Sequence, residues 1–552
     1  MAVAILDIET DCLDATVIHC LVIKEVGYDS PDKIVTFKEP TGVQNYLDVF
    51  DTLVAHNGIG FDFPILARLW GIKIRFDKMV DTLILSIMQD PARDGGHSLK
   101  SWGKRLGFEK LDYDGNFTSL TKEMLEYCEQ DVRVCEKLYL TLEDSMSHFS
   151  QQSIRDEHRM RILADRISQK GFKLNKDKAI LLYNGLMKEQ DEISIECKSL
   201  FPDQVIERTS TKTGRRLKDK VVEFNPASRK QIGERLVELG WEPKVFTNTG
   251  LPKVDETTLG LCKLEVAQKL ARYFLLQKRT SMIKSWLKYC SPDSRVHCQY
   301  RTLGAITNRM SCISPNLQQI PAVRVPYGKE CREVWEADTD KVLIDTDAAS
   351  LELRVLAHYM NDKKFTREVL EGDVHSSNQK MAGLETRDQA KTFIYALLYG
   401  AGDAKIGTVV GGSQRDGAEL RRRFLANLPT YKRLSDAVQE KGRKVGKLKG
   451  IDGRLLRVRH AHASLNTLIQ GSSAILMKKW FMFVDQSLRT KRLDASIVAM
   501  IHDELVLESC KKEVDNVRKS VIISISQVNQ SYNLRCKLDC DVQIGNNWSE
   551  IH

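Results

Sequence analysis

The sequence predicts a multi-domain α/β protein, and three observations support this. The chain has 552 residues, 42% of them hydrophobic, which is too long for one core, so we expect about three or four domains or subdomains. Short β-like runs, such as residues 3–6 and 52–55, alternate with helical stretches over residues 1–145. Helical patterns dominate residues 150–290, and strands mix with helices in the remainder.

The first β-like run leads into two acidic residues, Asp7 and Glu9. Strand alternation puts both on one face, where two neighbouring carboxylates repel each other. Divalent cations are the usual compensation for such a pair. The alternative is a strand end that turns into solvent.

Two later segments favour the metal interpretation. Asp62 follows a glycine-rich turn and opens an apolar helix, and Tyr127 and Asp131 are four residues apart on one helical face. Together the three segments resemble DEDD exonucleases of the DnaQ-like fold, in the variant with tyrosine in the third motif. The resemblance implies that Asp7, Glu9, Asp62 and Asp131 bind two Mg²⁺ ions, for which Mn²⁺ can substitute. It also implies that Tyr127 orients the attacking water.

A second group of acidic residues lies in the C-terminal half. An apolar run ends in Asp345 and Asp347, which share a face by strand alternation. A later apolar run leads into His502, Asp503 and Glu504 and then continues as apolar, which predicts a β-hairpin with an acidic turn. Burial of such a turn is costly unless metal or phosphate chemistry requires it.

Four residues between these runs recur every four positions: Arg387, Lys391, Tyr395 and Tyr399. Each step of four advances about 400° around a helix, so the four residues form one drifting stripe. Two cations followed by two aromatic rings suit a nucleoside triphosphate, with phosphates on Arg and Lys and the base and sugar against Tyr. The alternative is an amphipathic helix with core tyrosines.

These segments resemble motifs A, B and C of family A DNA polymerases, the class of bacterial polymerase I. The likeness covers nearly the whole chain and is strongest toward the replicative polymerases of short-tailed (podovirus-type) bacteriophages. It implies an RNase H-like exonuclease domain at residues 1–150, followed by a right-hand polymerase domain. We expect a helical thumb at 151–294, a palm with an antiparallel sheet at 295–362 and 463–552, and helical fingers at 363–462.

The resemblance also assigns the catalytic residues of the polymerase. Asp347 and Asp503 match the aspartates that hold two Mg²⁺ ions, and the Ala348 carbonyl is an expected further ligand. Lys391 matches a general acid that also pairs with the triphosphate. Asp345 and Glu504 are expected to be supporting residues.

Further roles in nucleotide and DNA binding follow from the same resemblance. Arg387 and His375 would bind the outer phosphates, Glu352 would crowd the 2′-position and exclude ribonucleotides, and Tyr395 and Tyr399 would lie near the insertion site. The residues expected to contact primer-template DNA are Arg309, Asn316, Gln319, Arg454, His462, Asn466, Gln470 and His502.

Three departures from relatives matter. Asn308 stands where they usually have glycine, which affects a local turn. Tyr395 stands where many polymerase I homologues have phenylalanine, which implies poor discrimination against dideoxynucleotides. The phage relatives carry a large thumb insertion that docks thioredoxin, whereas this chain has only residues 202–224 at that place. We expect no thioredoxin partner.

The basic segment 210–220 is predicted as a loop or hairpin tip that is either solvated or in contact with a nucleic-acid backbone.

Composition adds modest constraints. The net charge of +9 has the sign that phosphate binding needs. No signal peptide or membrane span is expected, and the 13 cysteines are expected to be reduced thiols. We expect a monomer in the cytoplasm of an infected bacterial host, acting on primer-template DNA and dNTPs, with a replicative helicase-primase and a single-strand-binding protein as further partners.

Two other functions compete with the replicative polymerase. A repair or translesion polymerase of the same family is disfavoured by the complete exonuclease motifs, because proofreading undermines lesion bypass. A catalytically dead DNA-binding scaffold would need at least one lost carboxylate, and the principal carboxylates are all present.

Overall fold

The computed structural model describes residues 2–27, 33–209 and 214–552. It forms two compact units. The first comprises Met1–Gly171, Cys298–Gln318 and Asp340–Ile544, and the second comprises Phe172–His297, Gln319–Thr339 and Gly545–His552. The sequence assigned residues 151–294 to one domain, whereas the second unit begins at Phe172, so the preceding helix belongs to the first unit.

A five-stranded mixed sheet organises the N-terminal part of the first unit. Its strands are β1 (Val3–Thr10), β2 (Ile18–Val26), β3 (Ile34–Phe37), β4 (Thr52–Ala55) and β5 (Met79–Asp81). The strand order is β3-β2-β1-β4-β5. Strand β1 pairs antiparallel with β2 and parallel with β4, and β4 pairs parallel with β5. The strands predicted at residues 3–6 and 52–55 are confirmed.

Six helices belong to the same N-terminal stretch of the chain. They are α1 (Val43–Asp48), α2 (Asp62–Trp70), α3 (Thr82–Gln89), α4 (Leu99–Arg105), α5 (Lys122–Met146) and α6 (Gln151–Lys170). Helix α5 packs on β1 and β2, because its apolar stripe, including Val132 and Leu138, is fully buried with Ile5 and Leu21 of the strands. This packing fixes the polar positions of α5 relative to the end of β1.

The second unit is mainly helical. Its elements are β6 (Phe172–Lys173), α7 (Lys176–Leu200), β7 (Gln204–Thr209), β8 (Arg216–Val222), α8 (Arg229–Glu238), α9 (Glu256–Gly260), α10 (Glu265–Tyr289), β9 (Arg295–Val296) and α11 (Gly328–Glu333). A fully buried aromatic group anchors it, in which the Trp335 ring lies 5.4 Å from Trp286, 5.2 Å from Phe172 and 6.4 Å from Trp548, centroid to centroid. Such rings contribute large buried areas.

The described part of the basic segment, residues 214–220, lies on the β7–β8 hairpin of the second unit. Residues 210–213 lie outside the described part of the chain. The rest of the segment leads into β8, with Arg215, Lys218 and Lys220 exposed, so the predicted hairpin is present as far as the structure describes it.

The remainder of the first unit contains a second sheet and most of the other helices. Its elements are β10 (Gln299–Arg301), β11 (Ser311–Ile313), β12 (Lys341–Ala348), α12 (Leu351–Met360), α13 (Lys363–Glu371), α14 (Val374–Ala382), α15 (Arg387–Leu398), α16 (Asp403–Gly407), α17 (Gln414–Asn427), α18 (Pro429–Val445), β13 (Lys447–Lys449), β14 (Leu455–Arg457), α19 (Ser464–Thr490), β15 (Ala495–Ile501), β16 (Glu504–Cys510), α20 (Val514–Ser531) and β17 (Cys540–Gly545). The sheet order is β15-β16-β12-β17, with β16 antiparallel to both β12 and β15.

Among the described residues, no helix is both long enough and apolar enough to cross a membrane. The longest, α19, has 27 residues and carries charged side chains such as Lys478 and Lys479 along its length.

A buried ionic network ties α6 to the later part of the first unit. Glu157 of α6 is fully buried and accepts hydrogen bonds from Arg454 and from the Lys478 ammonium of α19, at 2.5 and 2.7 Å. Arg454 also pairs with Asp452 at 2.8 Å. The predicted DNA contact of Arg454 is therefore wrong, because its side chain is only 3% exposed and its donors are engaged inside the protein.

The network should be sensitive to the loss of a single charge. Glu157→Gln leaves two buried cations with one fewer negative partner, which should lower the free energy of unfolding by about 3–5 kcal/mol. Calorimetric unfolding would measure this. The control is Glu440→Gln in α18, whose pair with Lys444 is exposed and should contribute little. Equal changes in the two variants would contradict the importance of the network.

Candidate active sites

The first acidic cluster forms where β1, α2 and α5 meet. Strand β1 carries Asp7 and Glu9, and α2 begins at Asp62, whose Oδ1 accepts a hydrogen bond from the Ile8 amide at 3.1 Å. Helix α5 contributes Asp131, which is 4% exposed. The four carboxylates predicted from the sequence are thus positioned by three elements of one domain.

Burial makes this cluster electrostatically unfavourable without added positive charge. Burial raises the pKa of Asp7 to about 6 and, with the charges of Asp7 and Asp131, the pKa of Glu9 to about 9. The pKa of Asp131 rises to about 7, mainly by burial, and that of Asp62 also rises well above its usual value. Asp131 Oδ1 is buried without a hydrogen-bond partner. A crowded set of oxygen donors with an unpartnered atom fits a divalent cation such as Mg²⁺ or Mn²⁺.

Two neighbours of this cluster escaped the sequence analysis. Cys128 donates a hydrogen bond from its thiol to Asp7 Oδ2 at 3.3 Å. Lys110 forms an ion pair with Asp131, and its Nζ lies 4.1 Å from the ring centroid of Tyr127. A single lysine between two helices carries no sequence pattern, so no local signal could have identified it.

The second acidic cluster forms at the end of β12. The strand register puts Asp347 opposite Glu504, and the Ala348 amide donates a hydrogen bond to the Asp503 carbonyl at 3.1 Å. His502 has φ of +52°, which turns the chain tightly between β15 and β16. The hairpin predicted from the sequence is confirmed, and its turn brings Asp503 beside Asp347.

The electrostatics repeat those of the first cluster. Burial and the charge of Asp503 raise the pKa of Asp347 to about 7, and burial and Glu504 raise that of Asp345 to about 9. The pKa of Asp503 is also raised by burial. Asp345 Oδ1 is buried without a hydrogen-bond partner. This set also fits divalent cations, and Asp541 of β17 adds a negative charge that the sequence analysis missed.

The predicted stripe lies on one face of α15. The Arg387 Nε donates to Asp373 Oδ2 at 2.7 Å, and the Tyr395 ring lies 6.3 Å from His375 and 6.2 Å from Tyr399. Tyr399 is 46% exposed, so the alternative of two core tyrosines does not hold. His375 is mostly buried, and its Nδ1 has no hydrogen-bond partner.

Glu352 connects two predicted functional residues. It accepts a hydrogen bond from Arg309 Nη2 at 2.5 Å and another from the Tyr399 hydroxyl at 3.0 Å. Asn308, which precedes Arg309, has φ of +60°, a conformation that asparagine tolerates better than most residues other than glycine. The turn expected to suffer from the loss of glycine is therefore retained.

Gly400 ends the α15 segment in a conformation that requires glycine. Its φ is +74°, and a Cβ atom there would lie 2.8 Å from the His462 carbonyl oxygen. Glycine therefore lets the helix end at this point.

The remaining predicted DNA contacts occupy varied positions. The exposed ring of His462 stacks parallel to His460, with centroids 5.4 Å apart. Asn316 Oδ1 accepts a hydrogen bond from the Gln318 amide at 3.0 Å. Gln319 is exposed and belongs to the second unit. The others lie on α19 or in the β15–β16 turn and are at least partly exposed: Asn466, Gln470 and His502.

Comparison with known proteins identifies a family for the part of the chain that contains the second cluster. The family profile for DNA polymerase family A matches residues 203–550. The DNA-directed DNA polymerases of Enterobacteria phage T3 and Escherichia phage T7 are each 30% identical to this chain, with 99% of both sequences covered. DNA polymerase I of Geobacillus stearothermophilus is 28% identical over 59% of this chain and 40% of its own length.

A solved structure has the same fold. The chain in "POL domain of Pol1 from M. smegmatis complex with DNA primer-template and dNTP" has a TM-score of 0.82 and 19% identity, and the match covers 100% of this chain and 96% of that one. The family match and the two phage relatives define a template-directed polymerase, and the shared fold agrees with this class. The chain belongs to DNA polymerase family A and is a DNA-directed DNA polymerase of the bacteriophage type.

Proposed function

We propose that this polymerase replicates phage-type DNA and proofreads it with its own 3′→5′ exonuclease. One observation carries the proposal: a second complete carboxylate cluster, Asp7, Glu9, Asp62 and Asp131, occurs beside a tyrosine in a region before the matched residues 203–550. A structural role would not require four crowded carboxylates with raised pKa values.

The proposed domains follow the sequence boundaries. Residues 1–150 would be the exonuclease, and the strand order β3-β2-β1-β4-β5 agrees with an RNase H-like fold. Residues 151–294 would be the thumb, although α6 belongs to the first compact unit. The palm would comprise 295–362 and 463–552, with its antiparallel sheet, and the fingers would be the helical residues 363–462.

In the proposed exonuclease, the protein's own groups hold and orient the reactants. Bound Mg²⁺ would supply an activated water and stabilise the charge on the leaving 3′-oxygen. Asp7, Glu9, Asp62 and Asp131 would hold it: ligand oxygens of Asp7 and Glu9 lie within 4.8 Å of each other, and Asp131 Oδ1 is unpartnered. Tyr127, half-buried on the same helical face as Asp131, would orient the water at the scissile phosphate.

In the proposed polymerase site, Asp347 and Asp503 would hold the Mg²⁺ ions that activate the primer 3′-OH and bind the triphosphate, with the Ala348 carbonyl as a further ligand. The exposed Lys391 would donate a proton to the leaving pyrophosphate. Arg387 would exchange its pairing with Asp373 for the outer phosphates, which its charge favours.

Neighbouring groups would contact the phosphates and sugar of the incoming nucleotide and the primer-template DNA. His375, whose ring lies 6.3 Å from Tyr395, would bind an outer phosphate, and Glu352, with Arg309 and Tyr399, would border the sugar of the incoming nucleotide. The residues proposed to contact primer-template DNA are now Arg309, Asn316, Gln319, His462, Asn466, Gln470 and His502.

The cellular setting is also part of the proposal. The enzyme would act as a monomer in the cytoplasm of an infected bacterium, with a helicase-primase and a single-strand-binding protein. The similarity to phage polymerases along 99% of the chain supports this setting. A repair or translesion role is the alternative, and the intact exonuclease cluster disfavours it.

The two activities should separate by mutation. Asp503→Ala should lower primer extension with Mg²⁺ and dNTPs by at least about 10³-fold and leave primer degradation without dNTPs intact. Asp7→Ala should have the reverse effect, because it removes a ligand from the other cluster. Gel-based primer assays on both variants measure this. If both activities survive both changes, the assignment of the sites is wrong.

Tyr395 should set the discrimination against dideoxynucleotides. Its hydroxyl would replace the missing 3′-OH contact, so Tyr395→Phe should raise selectivity for dNTP over ddNTP at least about tenfold, the effect of one hydrogen bond of about 1.4 kcal/mol. Single-nucleotide kinetics would measure it. Tyr183→Phe, on α7 of the second unit, is the matched control. Unchanged selectivity in Tyr395→Phe would contradict this role of Tyr395.

The thumb should work without thioredoxin. The alignments with the phage polymerases extend over about 700 positions, more than the 552 residues of this chain. Part of each relative therefore aligns with gaps in this chain. We propose that the β7–β8 hairpin grips duplex DNA itself through phosphate contacts, using Arg215, Lys218 and Lys220, which are exposed.

The length of product made per binding event tests this proposal. Added bacterial thioredoxin should leave this product length unchanged. Changing Arg215, Lys218 and Lys220 to alanine should shorten it and reduce the salt dependence of DNA binding by about one in log–log slope per lost contact. Longer products with thioredoxin, or an unaltered salt slope in the triple variant, would refute the proposal.

A further inference from the structure

Lys110 occupies a distinctive position in the first acidic cluster. Its ammonium pairs with Asp131 of α5, and its Nζ lies 4.1 Å from the Tyr127 ring centroid, one helical turn earlier on the same helix. The side chain is only 18% exposed, so solvent screens these contacts weakly. Lysine is protonated at neutral pH, so the group beside Asp131 is a cation.

The contact between Lys110 and Tyr127 is a cation–π interaction. The ammonium lies over the ring, 4.1 Å from its centroid, where the negative face of the ring attracts it. Asp131 holds the same ammonium through an ion pair. The Tyr127 ring therefore has a fixed cation against one face.

We propose that Lys110 is a positioning residue of the exonuclease that holds the Tyr127 ring so that its hydroxyl stays in place to orient the attacking water. This inference rests on the proposed exonuclease function. Asp131 anchors the ammonium, and the ammonium holds the ring of Tyr127. Without Lys110, the ring loses this contact and the hydroxyl is no longer held in one position.

A mutation series tests the proposal. Lys110→Met keeps the apolar stem and removes the ammonium, and should lower the exonuclease kcat on single-stranded DNA by about 10- to 100-fold, the usual effect of losing a partner that orients an active-site group. Lys110→Arg retains a donor cation and should lie closer to wild type than Lys110→Met does. The affinity for single-stranded DNA in EDTA, measured by fluorescence anisotropy, should change less than about twofold.

A double-mutant cycle distinguishes positioning from a general electrostatic effect. In a Tyr127→Phe background, Lys110→Met should cost much less than in wild type, because the oriented hydroxyl is already absent. The matched control is Lys100→Met, which removes a lysine that pairs with Asp112 and is 56% exposed. Its exonuclease activity should equal that of wild type.

Several outcomes would overturn the inference. These are equal activities for Lys110→Met and Lys100→Met, no recovery in Lys110→Arg, or an undiminished loss in the Tyr127→Phe background. Polymerase activity of each preparation reports on folding, and Lys110→Gln replaces Lys110→Met if that variant is unstable. Failure of the exonuclease proposal itself looks different: wild type would not degrade primers, or Asp62→Asn would degrade them as fast as wild type.

Discussion

Repulsion between buried carboxylates is the constraint on which both candidate sites depend. Each cluster holds several acidic side chains close together in a partly apolar environment, and each has at least one oxygen without a partner. Such an arrangement is stable as charged groups only when cations are supplied. The sheets make it possible, because the packing of β1 on α5 and of β12 on β16 fixes the carboxylates despite their repulsion.

Local periodicity explains how much of this was predictable. Alternation along β1 and β12 and four-residue spacing on α5 and α15 put functional side chains on common faces, and the structure retains those faces. Tertiary partners carry no such pattern. Lys110 meets Asp131 only because the chain folds back, so the sequence analysis missed it. Arg454 was misassigned because its buried partner Glu157 lies 297 residues away.

The network around Glu157 suggests how the first unit keeps its geometry. Two cations and a carboxylate, all nearly inaccessible to water, join α6 to α19 and to the β13–β14 turn. Removing one member of such a group leaves a buried charge uncompensated, so the members depend on one another. The same helix α6 also pairs with α19 through Arg166 and Asp485 at 2.8 Å, nearer to its C-terminal end. The N-terminal domain is thereby held to the later part of the unit along the length of one helix.

The position of Glu352 also constrains how the substrate range of this enzyme could be broadened. A residue that merely filled space next to a sugar could be trimmed to admit bulkier or modified nucleotides without other consequences. Glu352 instead links Arg309 to Tyr399 at the end of α15. Truncating Glu352 would release Arg309 and Tyr399 at once, so the wider pocket would also be less ordered. In the proposed role of Glu352 beside the sugar, relaxed sugar selection would therefore come with a less ordered site, and a useful variant would need a substitute that keeps both hydrogen bonds.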